Sequence, residues 1–320
     1  ALTIAGELRW KFPANAKIYS TPTIANGLIV FGTQDGSVYA LTPDGVPAWT
    51  FRARDGICAN PFAHEGVVYI GSFDGNLYAL DAATGAERWR FSGQAMMGSP
   101  IVADGTLYVP NYDGNLYALG LDGSLRWKFS VDGQAQSTAP LVWEGVVYFC
   151  CRQNVLYAVD ARTGSLRWRF ATGNILFTTP LIAGGVLYFG SNDGNFYALD
   201  ARTGALRWKY AINQDTNCRP ALFNNLLIFG SRACKVHALT TAGSLAWEFP
   251  ASTSTPAPVA VEPPRKGLRF PAPLVIAEKP AEGSRYKPES AAAEFGPSTY
   301  ITKSQYTTKE TYASKRTGQW

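Results

Sequence analysis

The chain has 320 residues, of which 46% are hydrophobic, and this fraction is ample for a packed core. The net charge of +5 lies mostly in the C-terminal part: residues 1–250 hold 19 Lys and Arg against 18 Asp and Glu, whereas residues 251–320 hold 10 against 6. This surplus of positive charge is too small for a surface that binds a nucleic-acid backbone, so we expect no nucleic-acid binding. No apolar run approaches the ~18 residues of a membrane helix, so we expect no membrane span.

Two residue types recur with a period near forty. Tryptophan recurs with gaps of 38 to 41 residues, at Trp10, Trp49, Trp89, Trp127, Trp168, Trp208 and Trp247. Proline recurs with gaps of 39 or 40, at Pro22, Pro61, Pro100, Pro140, Pro180 and Pro220. A fixed period of this length indicates one structural unit repeated along the chain.

Each repeat predicts four short antiparallel strands. In the third repeat they cover residues 99–102, 105–109, 114–119 and 125–129, and Asp113-Gly114 supplies a tight hairpin turn. Four such strands per forty residues are typical of a β-propeller blade. The sequence therefore predicts an all-β propeller in which the tryptophan of each outermost strand wedges between neighbouring blades.

The number of blades depends on the two ends of the chain. Six complete repeats are preceded by one isolated fourth strand, residues 7–12. We favour seven blades, the last degenerate and closed by both termini, with six blades as the rival. Residues 274–277 and 283–286 echo the second and third strands of the first repeat and are the candidates for closure.

These features divide the chain into three predicted regions. Residues 1–250 hold the propeller repeats. Residues 251–289 form a proline-rich segment with a possible degenerate closing blade. Residues 290–320 form a basic Tyr/Lys tail that we expect to bind partners.

One twelve-residue motif carries a family resemblance. Residues 78–89 read Tyr-Ala-Leu-Asp-Ala-Ala-Thr-Gly-Ala-Glu-Arg-Trp, and residues 157–168 and 197–208 are close variants. The motif resembles the repeat of PQQ-like propellers, and the likeness covers residues 1–250. It implies the fold but not the function, because this family includes quinoprotein dehydrogenases and non-enzymatic factors such as the propeller lipoprotein of the BAM machinery.

The sequence offers no catalytic, cofactor or metal site. The vicinal pair Cys150-Cys151, which the resemblance would link to PQQ, replaces Gly190-Ser191 of the next repeat at a strand end. His64 and His237 each lack a second His or a Cys at metal-ligand spacing. We therefore expect no enzyme activity, no cofactor and no small-molecule substrate.

Apolar side chains cluster where several repeats enter the first strand. We predict a partner-docking patch there, formed by Tyr19, Met96, Met97 and Phe177. Exposed apolar patches mark interaction sites, and methionine adapts to varied partners. The alternative interpretation is that these side chains pack locally around the central channel of the propeller.

The tail carries a second repeat, with a tyrosine every sixth residue and a lysine three residues after each. Its predicted partner-binding residues are Tyr300, Lys303, Tyr306, Lys309, Tyr312, Lys315, Arg316 and Trp320. Tyrosine and tryptophan are common anchors at protein interfaces. An even spacing keeps the tyrosines on one face of an extended strand.

These features favour a non-catalytic scaffold or linker subunit of a multiprotein assembly, with the propeller as platform and the tail as tether. A bacterial light-harvesting complex or a membrane-associated complex would suit such a subunit. The alternatives are a periplasmic assembly factor similar to the BAM-associated propeller and a small PQQ-dependent dehydrogenase. Five cysteines without Cys-x-x-Cys spacing favour the cytoplasm. A signal peptide removed before Ala1 would place the protein in the periplasm instead.

Overall fold

The computed structural model describes residues 1–250 except residues 132, 134, 136, 137 and 217. The predicted closing blade and tail, residues 251–320, lie outside the described residues.

Within the described residues, the strands form six four-stranded antiparallel sheets, each in chain order. These blades, one to six, are β1–β4 (Thr23–Ala25, Leu28–Gly32, Ser37–Leu41, Pro47–Arg52), β5–β8 (Phe62–His64, Val67–Gly71, Asn76–Asp81, Glu87–Ser92), β9–β12 (Ile101–Ala103, Thr106–Asn111, Asn115–Gly120, Leu125–Ser130), β13–β16 (Leu141–Trp143, Val146–Cys150, Val155–Asp160, Leu166–Ala171), β17–β20 (Leu181–Ala183, Val186–Gly190, Asn195–Asp200, Leu206–Ala211) and β21–β24 (Ala221–Phe223, Leu226–Ser231, Lys235–Thr240, Leu245–Pro250).

The strand boundaries have simple sequence causes. Each first strand begins directly after one of the periodic prolines, which lack a backbone donor and are tolerated at strand starts. The predicted Asp-Gly turns are confirmed, because the glycine of each adopts a positive φ, as Gly75 does at 84°. Every third strand also has a register shift against the fourth after a recurring alanine, such as Ala79.

The core lies between the faces of consecutive blades rather than inside any one blade. Five buried apolar clusters occupy the five interfaces between blades one to six. The interface of blades two and three, for example, contains Leu77 and Ala79 from one side and Leu107 and Val109 from the other. Because side chains alternate along a strand, both faces of a blade can be apolar, and stacking buries them.

The predicted tryptophan wedge is confirmed at six positions. The indole N–H of each of these tryptophans donates to a backbone carbonyl of the following blade at 2.9–3.1 Å. The indole ring covers a positive-φ glycine of that blade so closely that an added Cβ would lie 2.5–2.9 Å from it. The tryptophan–glycine pairs are Trp10–Gly45, Trp49–Gly85, Trp89–Gly123, Trp127–Gly164, Trp168–Gly204 and Trp208–Gly243.

Candidate partner-binding surface

The four propeller residues of the predicted patch differ in their exposure. Tyr19 is 40% exposed, and Met96 and Phe177 are half-buried. Met97 is 1% exposed and packs in the core between blades two and three, where the Asn111 amide lies 3.2 Å from its sulfur. Met97 therefore supports the position of Met96 and contributes no surface of its own.

A second row of residues lies beside the segments that lead into the first strands of the blades, and the sequence analysis did not identify it. The residue before most Asp-Gly turns donates its backbone N–H to the segment that enters the first strand. Tyr112 donates to the Met96 carbonyl at 3.0 Å, and Asn192 donates to the Ile175 carbonyl at 3.1 Å. Its fixed position before the Asp-Gly turn was the signal that could have identified this row.

Arg152 links the two rows across three blades. Its guanidinium carbon lies 5.7 Å from the centroid of the Tyr112 ring and 6.0 Å from that of the Phe177 ring. Both distances allow cation–π attraction, which orients the planar guanidinium between two aromatic groups. We call Met96, Tyr112, Arg152 and Phe177 the entry surface.

The composition of the entry surface suits protein recognition. Aromatic residues, Met and Arg are the types enriched in the buried centres of protein interfaces. Arg152 is exposed, whereas Met96, Tyr112 and Phe177 are half-buried. A partner can therefore cover three apolar side chains and one oriented cation that are already held in place.

The vicinal cysteines lie away from this surface. Cys150 and Cys151 are 2% and 0% exposed, and they belong to two different inter-blade clusters. The Cys150 thiol donates to the Thr178 carbonyl at 3.5 Å, and burial raises its pKa well above the usual value. Because both thiols pack in the core, the pair does not offer a surface against which PQQ could stack.

No metal site accompanies the cysteines in the part of the chain that the structure describes. Among those residues, no group of three or more His, Cys, Asp and Glu is arranged to hold a metal ion. His64 is half-buried beside Glu65. His237 is buried, its Nε2 atom lies 2.9 Å from Ser231 Oγ, and burial lowers its pKa. The residues that the structure describes therefore do not fit PQQ with its metal.

Contacts around turns explain the lowered pKa values of the Asp81 and Asp35 carboxyl groups. In Asp81 the Arg88 guanidinium and the Thr84 hydroxyl hold the carboxyl pKa at about 2. The Thr33 hydroxyl, the Ser37 backbone N–H and Arg52 lower the carboxyl pKa of Asp35 to about 2 in the same way. Each carboxylate closes a turn between strands, so these shifts reflect the hydrogen bonds of the turns.

The predicted tail residues, from Tyr300 to Trp320, lie outside the described residues. The structure therefore does not place them relative to the entry surface. The described residues contain no helix that is long and apolar enough to cross a bilayer.

The described blades, with their repeated tryptophan contacts, define a β-propeller of PQQ-like repeats. The family model described as outer membrane protein assembly factor BamB matches residues 2–90, 53–142, 73–217 and 121–276. The chain belongs to this family.

Solved structures show the same fold. The crystal structure of BamB from Moraxella catarrhalis has a TM-score of 0.68 and 21% identity, over 77% of this chain and 80% of that one. The computationally designed Ika8 protein has a TM-score of 0.62 and 15% identity, over 72% of each chain. No curated protein matches the sequence.

Proposed function

We propose that the chain is a non-catalytic scaffold or linker subunit of a multiprotein assembly at a membrane. The observation that carries this proposal is the entry surface, where Arg152 of blade four lies over the aromatic rings of Tyr112 in blade three and Phe177 beside blade five. A rigid propeller holds these groups without the ordering cost that a flexible loop would add on binding. Membership of a family described as an assembly factor supports the same class of role.

The tail is the second part of the proposal. Residues 290–320 combine regularly spaced tyrosines and lysines. In an extended conformation they would present an aromatic face and a basic face to a partner subunit. We propose that this tail tethers the propeller to the assembly, while the entry surface orients it.

The family description bears on the compartment. The family description names the assembly of outer membrane proteins, and the periplasm is the compartment that borders the outer membrane from inside the cell. We therefore propose the periplasm, and a membrane-associated complex rather than a light-harvesting one. The cytoplasmic location expected from the cysteines gains no support from the family.

Quantitative co-purification from the native cells tests the proposal. We expect Phe177→Asp and Arg152→Glu to deplete the same set of co-purifying proteins, because each removes one side of the entry surface. Leu166→Asp is the matched control, since Leu166 is 48% exposed on the outer strand of blade four. Equal recovery of partners with all three variants would contradict the role of the entry surface.

Deleting residues 290–320 tests the tether separately. The proposal predicts weaker retention in the complex with an unchanged thermal unfolding midpoint of the propeller. Full retention of the truncated chain would exclude the tail as the tether without affecting the proposal for the entry surface.

A further inference from the structure

Blade six departs from the repeat where its third strand pairs with its outer strand. The other five blades have a tyrosine on the third strand opposite a neutral or basic residue on the outer strand. These pairs are Tyr39–Thr50, Tyr78–Arg90, Tyr117–Lys128, Tyr157–Arg169 and Tyr197–Lys209. In blade six the pair is His237 and Glu248. An imidazole and a carboxylate therefore stand opposite each other in this blade alone among the six.

Ser231 completes a group of three polar side chains on this face of the sheet. The His237 Nε2 atom lies 2.9 Å from Ser231 Oγ. On the other side of the ring, Nδ1 lies 3.2 Å from Oε2 of Glu248, although out of line for a hydrogen bond. Lys235 forms an ion pair with the second carboxylate oxygen of Glu248. Serine, histidine and glutamate are thus arranged in the order that activates a serine hydroxyl.

His237 is suited to act as a base at neutral pH. It is 3% exposed, and its ring stacks on that of Phe229 with the centroids 5.4 Å apart. Burial lowers its pKa most strongly, the charge of Glu248 opposes this effect, and the charge of Lys235 lowers the pKa further. The imidazole is therefore neutral at pH 7. When its proton is on Nδ1, towards Glu248, Nε2 can accept the hydroxyl proton of Ser231.

The equivalent serine of blade five lacks this environment. Ser191 is fully buried, donates to the Asn174 carbonyl at 3.2 Å and accepts the backbone N–H of Asp193 at 3.2 Å. Tyr197 occupies the histidine position, and its hydroxyl donates to the Asp193 carboxylate at 2.7 Å. Ser191 therefore stabilises its turn. Ser231 is instead half-buried, and the three residues that follow it are exposed, so a reagent can approach from solvent.

We propose that Ser231 is a nucleophile that accepts an acyl group from a carboxylic ester or thioester, with His237 as its base and Glu248 as a positioning residue. The hydroxyl proton passes to Nε2 as Oγ bonds to the acyl carbon. The carbon–oxygen or carbon–sulfur bond of the donor then breaks, and the leaving alcohol or thiol takes the proton from Nε2. The products are acylated Ser231 and a free alcohol or thiol, with no change of oxidation state.

This inference goes beyond the proposed function and does not depend on it. A single acylation modifies a scaffold subunit and requires no turnover. Ser231 belongs to blade six, whereas Arg152 of the entry surface belongs to blade four. Failure of the acylation test would therefore leave the predictions for the entry surface unchanged.

Acetylation of the full chain by p-nitrophenyl acetate, followed by peptide mass spectrometry, tests the proposal without any variant. We expect Ser231 to be acetylated about 100-fold faster in the folded protein than in the urea-unfolded chain, because only folding supplies the base. Ser191 is the internal control. It should react more slowly in the folded protein, because it is buried there. A Ser231 rate that does not fall on unfolding would overturn the proposal.

Substitutions test the roles of the two other side chains. His237→Gln should lower the rate of Ser231 acetylation by about 100-fold, and an unchanged rate would overturn the proposal. The charges that act on the imidazole are those of Glu248 and Lys235. Glu248→Gln should therefore move the midpoint of the pH–rate profile to lower pH, and Lys235→Met should move it to higher pH. A midpoint that neither variant moves would overturn the role of Glu248.

Discussion

Two glycines of blade two allow the tryptophan contact to be measured against a built-in control. Gly66 and Gly85 have φ values of 72° and 73°. A Cβ at Gly66 would meet nothing within 4 Å, whereas a Cβ at Gly85 would lie 2.5 Å from Cε3 of Trp49. Alanine therefore imposes the same backbone strain at both positions but a clash at only one.

We expect Gly66→Ala to lower the free energy of unfolding by about 1 kcal/mol, the usual cost of a left-handed conformation for a residue with a Cβ. Gly85→Ala adds displacement of the indole, and overpacking of this kind costs about 1–3 kcal/mol. The total is about 2–4 kcal/mol. Urea unfolding followed by circular dichroism measures both values. Equal destabilisation by the two substitutions would refute the interpretation that the indole–glycine contact locks adjacent blades.

Three further results are expected. Burial lowers the pKa of His237, so the unfolded chain takes up a proton below about pH 6.5 before the folded chain does. The free energy of unfolding should therefore fall as the pH is lowered from about 7.5 to about 5.5. It should fall less in His237→Phe. Arg167 and the backbone of the turn hold the pKa of the Asp160 carboxyl far below its usual value. Asp160→Asn should therefore lower the free energy of unfolding at pH 7. In acid unfolding, the difference in stability between this variant and the parent chain should narrow below about pH 4. Thiol titration of the native protein should label exposed Cys234 quickly and buried Cys150 and Cys151 only on unfolding.

The blades could be predicted from the sequence because their signals are local. A proline starts each first strand, Asp-Gly closes a hairpin, and one tryptophan marks each outer strand. The entry surface could not be predicted in the same way. Spacing treats Tyr19 and Met97 as equivalent, yet Tyr19 is 40% exposed and Met97 is 1% exposed, because Met97 packs in the core between blades two and three.

Arg152 was missed for a related reason. It precedes Gln153-Asn154, where most repeats have Asp-Gly, so the dipeptide that marks this row in the other repeats is lacking after it. Its importance arises from Tyr112 and Phe177, which lie 40 residues before it and 25 residues after it. Only the stacking of three blades brings these side chains together.

Site-specific photo-crosslinking in the native cells tests the central claim most directly. A benzophenone amino acid in place of Phe177 should give one dominant crosslinked protein, and the same group in place of Leu166 should not. Loss of the Phe177 crosslink in the Arg152→Glu background would place the partner on the entry surface. The absence of any crosslink from position 177, or the same products from both positions, would contradict the account.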